Sequence, residues 1–267
     1  MPPVGPDIFE AIAEVRRRRV PAALATVVGT KGSTPAKMTA RMLVRADGTQ
    51  VGTIGGGCIE ADVIRDARDV MDTGRPVTRS FHLHGEEAER TGIACGGIVT
   101  IMIESLDDPR VVLIGAGHVA QATAVLAKSA GFRVTIVDDR PDFASKARFP
   151  DADDIVVREL DALDGAVPVS PATMIVCMTR GHAEDFTALK WALGTTARYV
   201  GVLGSKSKRV QFRDALKAEG LDDATIGRIR LPVGLDIGAE TVPEIAVAIV
   251  AELIARRRIG TSGGVGA

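Results

Sequence analysis

Two glycine-rich loops of the sequence place a cysteine beside consecutive glycines. Their residues are Gly55, Gly56, Gly57 and Cys58 in the first loop, and Cys95, Gly96 and Gly97 in the second. Consecutive glycines expose the backbone and let a ligand approach it closely. Cys58 also begins a predicted helix, whose dipole favours the thiolate form of the side chain. The two loops therefore predict a site in which backbone N–H groups and thiols meet a ligand.

A third glycine motif, residues 115–120, has the G-x-G-x-x-A pattern of a phosphate-binding turn between a strand and a helix. Gly115 allows the tight turn, and Gly117 lets a pyrophosphate approach the backbone. The helix that starts at His118 then points free N–H groups at the anion. The motif predicts a dinucleotide site, and the alternative is a turn that is structural or holds another phosphate.

Asp138 ends the strand that follows this motif. In dinucleotide-binding folds an acidic side chain at this position accepts hydrogen bonds from the ribose hydroxyls and repels a 2′-phosphate. The sequence therefore predicts that NAD binds better than NADP. The nearby Arg140 offers the opposite possibility, because its guanidinium suits a 2′-phosphate.

Two later loops follow predicted buried strands and carry cationic and hydroxyl side chains. The first contains Arg180 and His182, and the second contains Ser205 and Lys206. Parallel sheets bind ligands at the carboxyl ends of their strands, and such side chains suit a phosphate. We predict that both loops contribute to the cofactor site. The alternative is a pair of solvated loops.

The predicted elements divide the chain into two regions. In the first, Asp47-Gly48 between two apolar runs predicts a β-hairpin. In the second, short β-branched strands alternate with helices, which predicts a doubly wound parallel sheet of the Rossmann type. The α/β chain is therefore expected to contain a mixed α/β domain at 1–105, a linker at 106–110, a Rossmann-like domain at 111–260 and a disordered tail at 261–267.

Several individual elements bear on the sites or on assembly. They are a strand at 81–84 and helices at 58–71, 185–193, 210–219 and Val242–Arg258. Thr241 and Glu244 form the capping-box pattern at the start of the last helix. Its apolar surface exceeds what one layer of a Rossmann domain covers, which predicts a homodimer.

Composition excludes several classes of function. The formal net charge is −1 and aromatic residues make up 3% of the chain, so neither a nucleic acid nor an anionic membrane surface is a predicted partner. Three cysteines, no signal peptide and no long apolar segment predict a cytoplasmic protein. Cys177, inside an apolar strand, is expected to be core. No Ser/His/Asp or paired-carboxylate pattern predicts a catalytic group.

Short blocks of characteristic residues follow one another along nearly the whole chain. They are Gly32-Ser33-Thr34-Pro35, Asp47-Gly48, 54–60, Cys95-Gly96-Gly97, 115–119, 137–141, 148–150, 178–182, 199–206 and 232–241. In this order they resemble the XdhC/CoxI family of molybdenum-enzyme accessory proteins. The resemblance implies an N-terminal XdhC/CoxI domain and a C-terminal Rossmann domain.

The resemblance also implies a function. Such a protein binds molybdenum cofactor (molybdopterin), assists its sulfuration by a cysteine desulfurase, and delivers it to the apoenzyme of a xanthine-dehydrogenase-type molybdenum hydroxylase. It would be an accessory factor without turnover of its own. Cys95 matches the family's cysteine motif and is the implied metal contact, because a thiolate is a soft ligand. The role of Cys58, in binding or in packing, stays open.

Two other functions fit part of the same sequence. An NAD(P)-dependent oxidoreductase is supported by Gly115, Gly117 and Asp138, but its proton relay would have to come from His118 or His182, which lie in the nucleotide loops. A nucleotide-binding module without chemistry is the other alternative. Retention of molybdenum and pterin, compared with retention of NAD(P), distinguishes these functions.

Overall fold

The computed structural model describes residues 7–18, 20–83 and 96–258, and the side chain of Cys58 is not among the described atoms. Cys95 and the predicted tail at 261–267 therefore lie outside the described residues. The chain divides into two compact units, Met1–Asp107 and Asp108–Ala267.

Within its described residues, the first unit has a five-stranded antiparallel sheet and two helices. Its elements are α1 (Ile8–Arg18), β1 (Ala22–Lys31), β2 (Arg41–Arg45), β3 (Gln50–Gly52), α2 (Cys58–Thr73), β4 (Val77–His82) and β5 (Ile98–Ser105). The strand order is β3-β2-β1-β5-β4, and each neighbouring pair is antiparallel.

Alternation along the strands of the first unit separates two cores. Ala23 and Met42 belong to the core under α2, whereas Ala22 and Leu43 belong to the core under α1. Successive side chains of a strand point to opposite faces of the sheet. Helix α2 therefore packs on one face of the sheet and α1 on the other. The predicted hairpin is confirmed, with Leu43 opposite Val51 in the β2–β3 pair.

One strand of the first unit differs from its predicted position. The sequence predicts a strand at 81–84, but β4 begins at Val77 and ends at His82. Thr78 and Ser80 are exposed on this edge strand, so apolar alternation does not mark where it begins. Pairing with β5, which places Val77 opposite Ile103, defines the strand instead.

The described part of the second unit has a six-stranded sheet with helices on both faces. Its elements are β6 (Arg110–Ile114), α3 (His118–Ser129), β7 (Arg133–Asp138), β8 (Asp154–Val157), β9 (Thr173–Cys177), α4 (His182–Gly194), β10 (Tyr199–Val202), α5 (Lys206–Ala218), α6 (Asp223–Gly227), β11 (Ile229–Arg230) and α7 (Val242–Arg258). The strand order is β11-β10-β9-β6-β7-β8, and every neighbouring pair is parallel.

This strand order confirms the predicted doubly wound Rossmann-like fold. Val111 and Leu113 of β6 join the core that contains residues of α3 and α7. Val112 and Ile114 of the same strand join the core that contains residues of α4 and α5. Because both faces are covered, the strands are apolar on both sides, as parallel strands usually are.

The helices of the second unit match their predicted positions unevenly. Helix α7 spans the predicted Val242–Arg258, and the backbone N–H of Thr241 donates to the Glu244 carboxylate at 2.9 Å. By contrast, α5 begins at Lys206 rather than near residue 210. Helix α6, whose N-terminus is capped by Asp222, is too short for a periodic pattern to predict.

Candidate functional site

Three loops of the first unit meet where β1 ends and β5 begins. A Cβ added to Gly97 would lie 2.3 Å from the carbonyl oxygen of Ser33, and one added to Gly32 would lie 3.3 Å from the Cα of Gly97. A Cβ on Gly55 would lie 3.2 Å from the backbone nitrogen of Ala36. Residues 32–36 therefore contact both other loops. We call residues 32–36, 53–58 and 96–97 the glycine-loop cluster.

Each of the two cysteine-bearing loops contains one packed glycine and one open glycine. Gly55 and Gly97 are packed against neighbouring backbone, as described above. By contrast, a Cβ on Gly56 or Gly96 would meet nothing within 4 Å. Both residues have positive φ angles, 80° and 76°, which glycine adopts without strain. The open glycines leave backbone that a ligand can approach, as the sequence predicts.

Glu60 holds one loop of the cluster in place. Its Oε1 accepts hydrogen bonds from the Thr53 hydroxyl at 2.6 Å, from the Ile54 N–H at 3.1 Å and from the Gly56 N–H at 3.0 Å. The carboxylate is therefore turned towards its own loop. Sequence analysis missed this role, although the Glu60 position three residues after Gly57 resembles a capping-box spacing.

One cysteine, Cys58, belongs to the glycine-loop cluster, and a second, Cys95, precedes it in the chain. Cys58 is the first residue of α2, after the N-cap Gly57, which has a φ of 70° and provides no side-chain cap. The predicted placement of Cys58 at a helix N-terminus is therefore confirmed. Cys95 directly precedes Gly96 in the chain but falls outside the described residues.

The second unit has a crevice at the carboxyl ends of β6, β7 and β9. The strand order reverses between β6 and β9, which is where such sheets bind ligands. A Cβ on Gly115 would lie 2.3 Å from the carbonyl oxygen of Met178, whereas one on Gly117 would meet nothing within 4 Å. Gly115 is therefore required by packing, and Gly117 is open. We call the region formed by loops 115–117, 138–140 and 178–181 the Rossmann crevice.

Asp138 is buried beneath the crevice with all its acceptor positions used. Its Oδ2 accepts from the Ala116 N–H at 2.7 Å and from Arg140 Nη2 at 2.9 Å. Its Oδ1 accepts from the N–H and the Nε of Arg140 at 3.0 and 2.8 Å. Burial by itself raises the pKa of Asp138, but the hydrogen bonds from Arg140 and Ala116 outweigh it and lower the pKa to about 2. The sequence predicts that the Asp138 carboxylate binds a ribose. In the structure its oxygens instead accept hydrogen bonds from Ala116 and Arg140.

Ion pairs connect the loops on either side of Gly115. Arg180 Nη2 lies 2.8 Å from Asp139 Oδ2, and Arg180 Nε lies 3.0 Å from Glu184 Oε1. Arg140 Nε lies 3.7 Å from Asp139 Oδ1. The space between these residues is small, about 10 Å³, which is close to the room that one water molecule needs. Asp139 thus lies between two guanidinium groups, a role that the sequence motifs do not predict.

The helices at the crevice differ in how their N-termini are capped. Helices α3 and α4 begin at the exposed His118 and His182 after Gly117 and Gly181, and neither has a side-chain cap. Helix α5 is different, because the Ser205 side chain accepts a hydrogen bond from the backbone of its first turn. Ser205 is therefore a cap here, although the sequence predicts a phosphate contact. Lys206 is exposed at the first position of α5.

Lys208, rather than Lys206, reaches into the unit from α5. Its ammonium pairs with the Asp185 carboxylate, and 17% of the Lys208 side chain is exposed. Asp185 also accepts from the N–H and the hydroxyl of Thr179 at 2.8 and 2.7 Å. This network ties α5, α4 and the loop after β9 together. Sequence analysis missed it, since its members are far apart in the chain.

Cys177 is fully buried in β9. Burial raises the pKa of its thiol, with a smaller contribution from the negative charge of Asp185. The side chain therefore stays a neutral part of the core, as the sequence predicts.

The described residues hold neither a ready-made metal cluster nor a membrane-spanning helix. Among them, no three His, Cys, Asp or Glu side chains are grouped so as to hold a metal ion. No helix in the same part of the chain is long and apolar enough to cross a membrane. The predicted metal contact Cys95 lies outside these residues.

Two families match separate parts of the chain. Residues 15–82 match the XdhC and CoxI family, and residues 111–253 match the XdhC Rossmann domain. The first match lies within the antiparallel-sheet unit and the second within the parallel-sheet unit.

Curated relatives extend the comparison over most of the chain. The chain is 34% identical to "Uncharacterized protein YqeB" of Escherichia coli K12 over 93% of its own length and 46% of YqeB, so it spans about half of that relative. It is 26% identical to a probable xanthine dehydrogenase subunit of Bacillus subtilis 168 over 89% of its length and 93% of the relative. It is 25% identical to "Molybdenum cofactor insertion chaperone PaoD" of Escherichia coli K12, over 88% and 83%.

A solved structure shares the fold. The crystal structure of a xanthine dehydrogenase (BH1974) from Bacillus halodurans superposes with a TM-score of 0.52 and 24% sequence identity, over 96% of this chain and 97% of that one. The family matches, which cover more than half of the residues, agree with this likeness and with the predicted resemblance. The chain belongs to the XdhC/CoxI family.

Proposed function

We propose that this protein binds molybdenum cofactor, assists its sulfuration and delivers it to a xanthine-dehydrogenase-type molybdenum hydroxylase. Membership of the family supports this proposal. So do the names of two relatives, one a molybdenum cofactor insertion chaperone and the other a probable xanthine dehydrogenase subunit. The partners would be the hydroxylase apoenzyme and a cysteine desulfurase, and the protein would act as a homodimer.

The observation that favours this function is the composition of the glycine-loop cluster. Three loops that are far apart in the sequence meet there, and in two of them an open glycine stands beside a packed one. A cysteine adjoins each of these loops in the chain, at positions 58 and 95. Open backbone suits the polar edges and phosphate of a pterin, and thiolates suit molybdenum. The residues present therefore fit this cargo.

Each residue type has its own proposed task at this site. Cys95 would contact the molybdenum centre or protect its exchangeable ligand, and Cys58 would assist it from the start of α2. Gly55, Gly57 and Gly97 would shape the loops. Gly56 and Gly96 would let the pterin or its phosphate come close to the backbone. Glu60 would keep the first loop in shape through its three hydrogen bonds.

The Rossmann crevice supports a second binding role for the same protein. Its strand order and the open Gly117 at the uncapped α3 favour a phosphate-containing ligand. His118, Arg180 and His182 border the crevice and are proposed contacts, with Gly115 shaping the turn. Lys206 and Ser205 lie at the next helix, where Lys206 is the more available of the two. The alternative functions, an NAD(P)-dependent oxidoreductase or a nucleotide-binding module, would use this crevice alone.

The cysteines provide the direct test of the proposed function. The parent protein and the variants Cys95→Ser, Cys58→Ser and Cys177→Ser are purified from a host that makes molybdopterin. Molybdenum and pterin content are measured, together with reconstitution of a hydroxylase apoenzyme and the absorbance of bound NAD(P). Thermal unfolding shows whether each variant is folded.

We expect Cys95→Ser to lose cofactor retention and delivery, and Cys58→Ser to lose part of both. Cys177→Ser is the matched control: it should retain cofactor while losing about 1–3 kcal/mol of stability, because a hydroxyl replaces a buried thiol. If the folded Cys95→Ser variant retained and delivered cofactor like the parent protein, the proposed thiol site would be wrong. Bound NAD(P) without molybdenum or pterin would favour the oxidoreductase.

A further inference from the structure

Two arginines from different loops of the Rossmann crevice lie within ion-pairing distance of one carboxylate. Arg180 follows β9 and Arg140 follows β7, and their side-chain nitrogens lie 2.8 and 3.7 Å from the two oxygens of Asp139. The side chain of Asp139 is 22% exposed, so part of it already meets solvent. Two guanidinium groups around one anion form the arrangement that proteins use to bind phosphate.

Arg140 is held in a fixed orientation. Asp138 accepts hydrogen bonds from its Nε and Nη2, as described above, and its guanidinium carbon lies 3.7 Å from the centre of the Phe143 ring. A guanidinium has five N–H groups, and Asp138 uses two of them. The Nε that lies 3.7 Å from Asp139 is one of these two, so Arg140 attracts an anion at that place through its charge, and three N–H groups that Asp138 does not use remain on the guanidinium.

Asp138, by contrast, has no free acceptor position for the hydroxyl groups of a ribose. A carboxylate has about four lone-pair positions, and Ala116 and Arg140 fill all four. A ribose diol at this strand end would have to displace an existing partner. A phosphate would instead displace the Asp139 carboxylate, after which Arg180 would donate to it and the positive charge of Arg140 would attract it.

We propose that Arg140 and Arg180 form a phosphate subsite of the Rossmann crevice, and that the Asp139 carboxylate takes the place of the phosphate in this structure. The subsite lies beside the end of β7, where the ribose of a bound nucleotide is held in such folds. It therefore selects a nucleotide with a phosphomonoester on that ribose. This inference reverses the NAD preference predicted from Asp138.

The phosphate of a nucleotide has two sources, the diphosphate of its backbone and a phosphomonoester on its ribose. NAD and NADP share the diphosphate and differ in the 2′-phosphomonoester, so comparing them separates the two sources. The inference rests on the proposed nucleotide-binding role of the crevice, and not on the handling of molybdenum cofactor by the glycine-loop cluster.

The test measures the dissociation constants of NADP and NAD by calorimetry on the full chain at one ionic strength. The key variant is Asp139→Asn, which removes the competing negative charge and changes little in shape. Arg180→Gln removes one arginine. Asp153→Asn is the matched control, because its side chain is also 22% exposed and ion-paired but lies just before β8, at the opposite end of the sheet.

We expect the parent protein to bind NADP about tenfold more tightly than NAD, which is the effect of one good charge-assisted contact. Asp139→Asn should tighten NADP binding about fivefold, the scale of a partly exposed ion pair. Arg180→Gln should weaken NADP binding more than NAD binding, and Asp153→Asn should change neither.

Four outcomes would overturn the inference. The first three are NAD binding as tightly as NADP, NADP binding that Asp139→Asn leaves unchanged or weaker, and binding of neither nucleotide. An equal gain for NAD and NADP in Asp139→Asn would assign the arginines to the diphosphate and so also reject the ribose phosphate. Molybdenum and pterin content of the same samples is read separately, so failure of the subsite is distinguishable from failure of the proposed function.

Discussion

The two candidate sites of this protein present different chemical groups to a ligand. In the glycine-loop cluster, backbone forms the surface, and the carboxylate of Glu60 is turned inward to hold its own loop. In the Rossmann crevice, charged side chains form the surface, and Asp139 and Arg180 are paired across the turn at Gly115. The first construction suits a ligand with polar edges, whereas the second suits a phosphate.

The two sites nevertheless share one device. Each contains a glycine that is packed against backbone and, one or two residues away, a glycine that faces open space. Gly97 and Gly96 are this pair in the first unit, and Gly115 and Gly117 are the pair in the second. The packed glycine is a requirement of the fold, and the open glycine is what a ligand can use. Substitutions at both kinds of position test this distinction.

The largest losses of stability are expected at the packed glycines. Gly115→Ala would place a Cβ 2.3 Å from the Met178 carbonyl at a φ of 107°, and Gly97→Ala would place one 2.3 Å from the Ser33 carbonyl. Backbone must move in both cases, so we expect each to lose about 3 kcal/mol of unfolding free energy in a urea titration. Gly194→Ala, where a Cβ meets nothing within 4 Å, is the control. Losses below ~1 kcal/mol at Gly97 and Gly115 would contradict the close packing.

A smaller, pH-dependent loss is expected at Asp138. Its pKa of about 2 in the folded protein lies below the value of about 3.9 in an unfolded chain, so the carboxylate contributes about 2.5 kcal/mol at pH 7. That contribution is lost as the pH falls from about 4 to about 2, when the carboxylate becomes protonated in both states. Asp138→Asn should therefore be less stable at pH 7 and lose less on acidification. Equal slopes for both proteins between pH 4 and 2 would rule out this contribution.

Glu60→Ala should cost less, about 1–2 kcal/mol. Three donors of the loop at 53–56 lose their shared acceptor, but the loop is partly exposed and water replaces some of the hydrogen bonds. Amide hydrogen exchange at Gly56 should become faster, and cofactor content should fall. Glu60→Gln keeps an oxygen acceptor and serves as the control. Unchanged exchange at Gly56 in Glu60→Ala would show that the loop keeps its shape without the carboxylate.

The smallest effect on stability is expected at the open glycine of the crevice. Gly117→Val should change the unfolding free energy by less than ~1 kcal/mol, because a Cβ there meets nothing within 4 Å. It should abolish nucleotide binding, since the added methyl groups occupy the space that the phosphates need. Calorimetry with NAD, NADP, CTP and ATP on both proteins measures this. Nucleotide affinity equal to that of the parent protein would make the glycine turn purely structural.

Local signals in the sequence were sufficient for most of the fold. The alternation of β-branched strands with helices predicts the parallel sheet, and the pattern at 115–120 predicts where α3 begins. Asp47-Gly48 predicts the β2–β3 hairpin, and Thr241 predicts where α7 begins. These features depend on residues that are neighbours in the chain, which is why composition and spacing reveal them. Strand β4 and helix α6 carry no such local pattern, and pairing or capping defines them.

The candidate sites were predicted only in outline. The sequence marks most glycines of both sites, but not Gly32 or Gly181, and it does not distinguish Gly97, which is packed, from Gly96, which is open. It likewise marks Ser205 and Lys206 as phosphate contacts, whereas the structure makes Ser205 a helix cap and brings Lys208 to Asp185. Whether a side chain is free for a ligand depends on partners that spacing along the chain does not reveal.

The sequence by itself determined the family, the Rossmann-like sheet and the loops that border the two sites. Only the tertiary structure decided which charged side chains form ion pairs and hydrogen bonds with one another. Arg180 pairs with Asp139, which is 41 residues away in the chain. The oxygens of Asp138 accept hydrogen bonds from Ala116 and Arg140. Ion pairs and hydrogen bonds act over a few ångströms, so residues distant in sequence acquire them only when the sheet brings their loops to one edge.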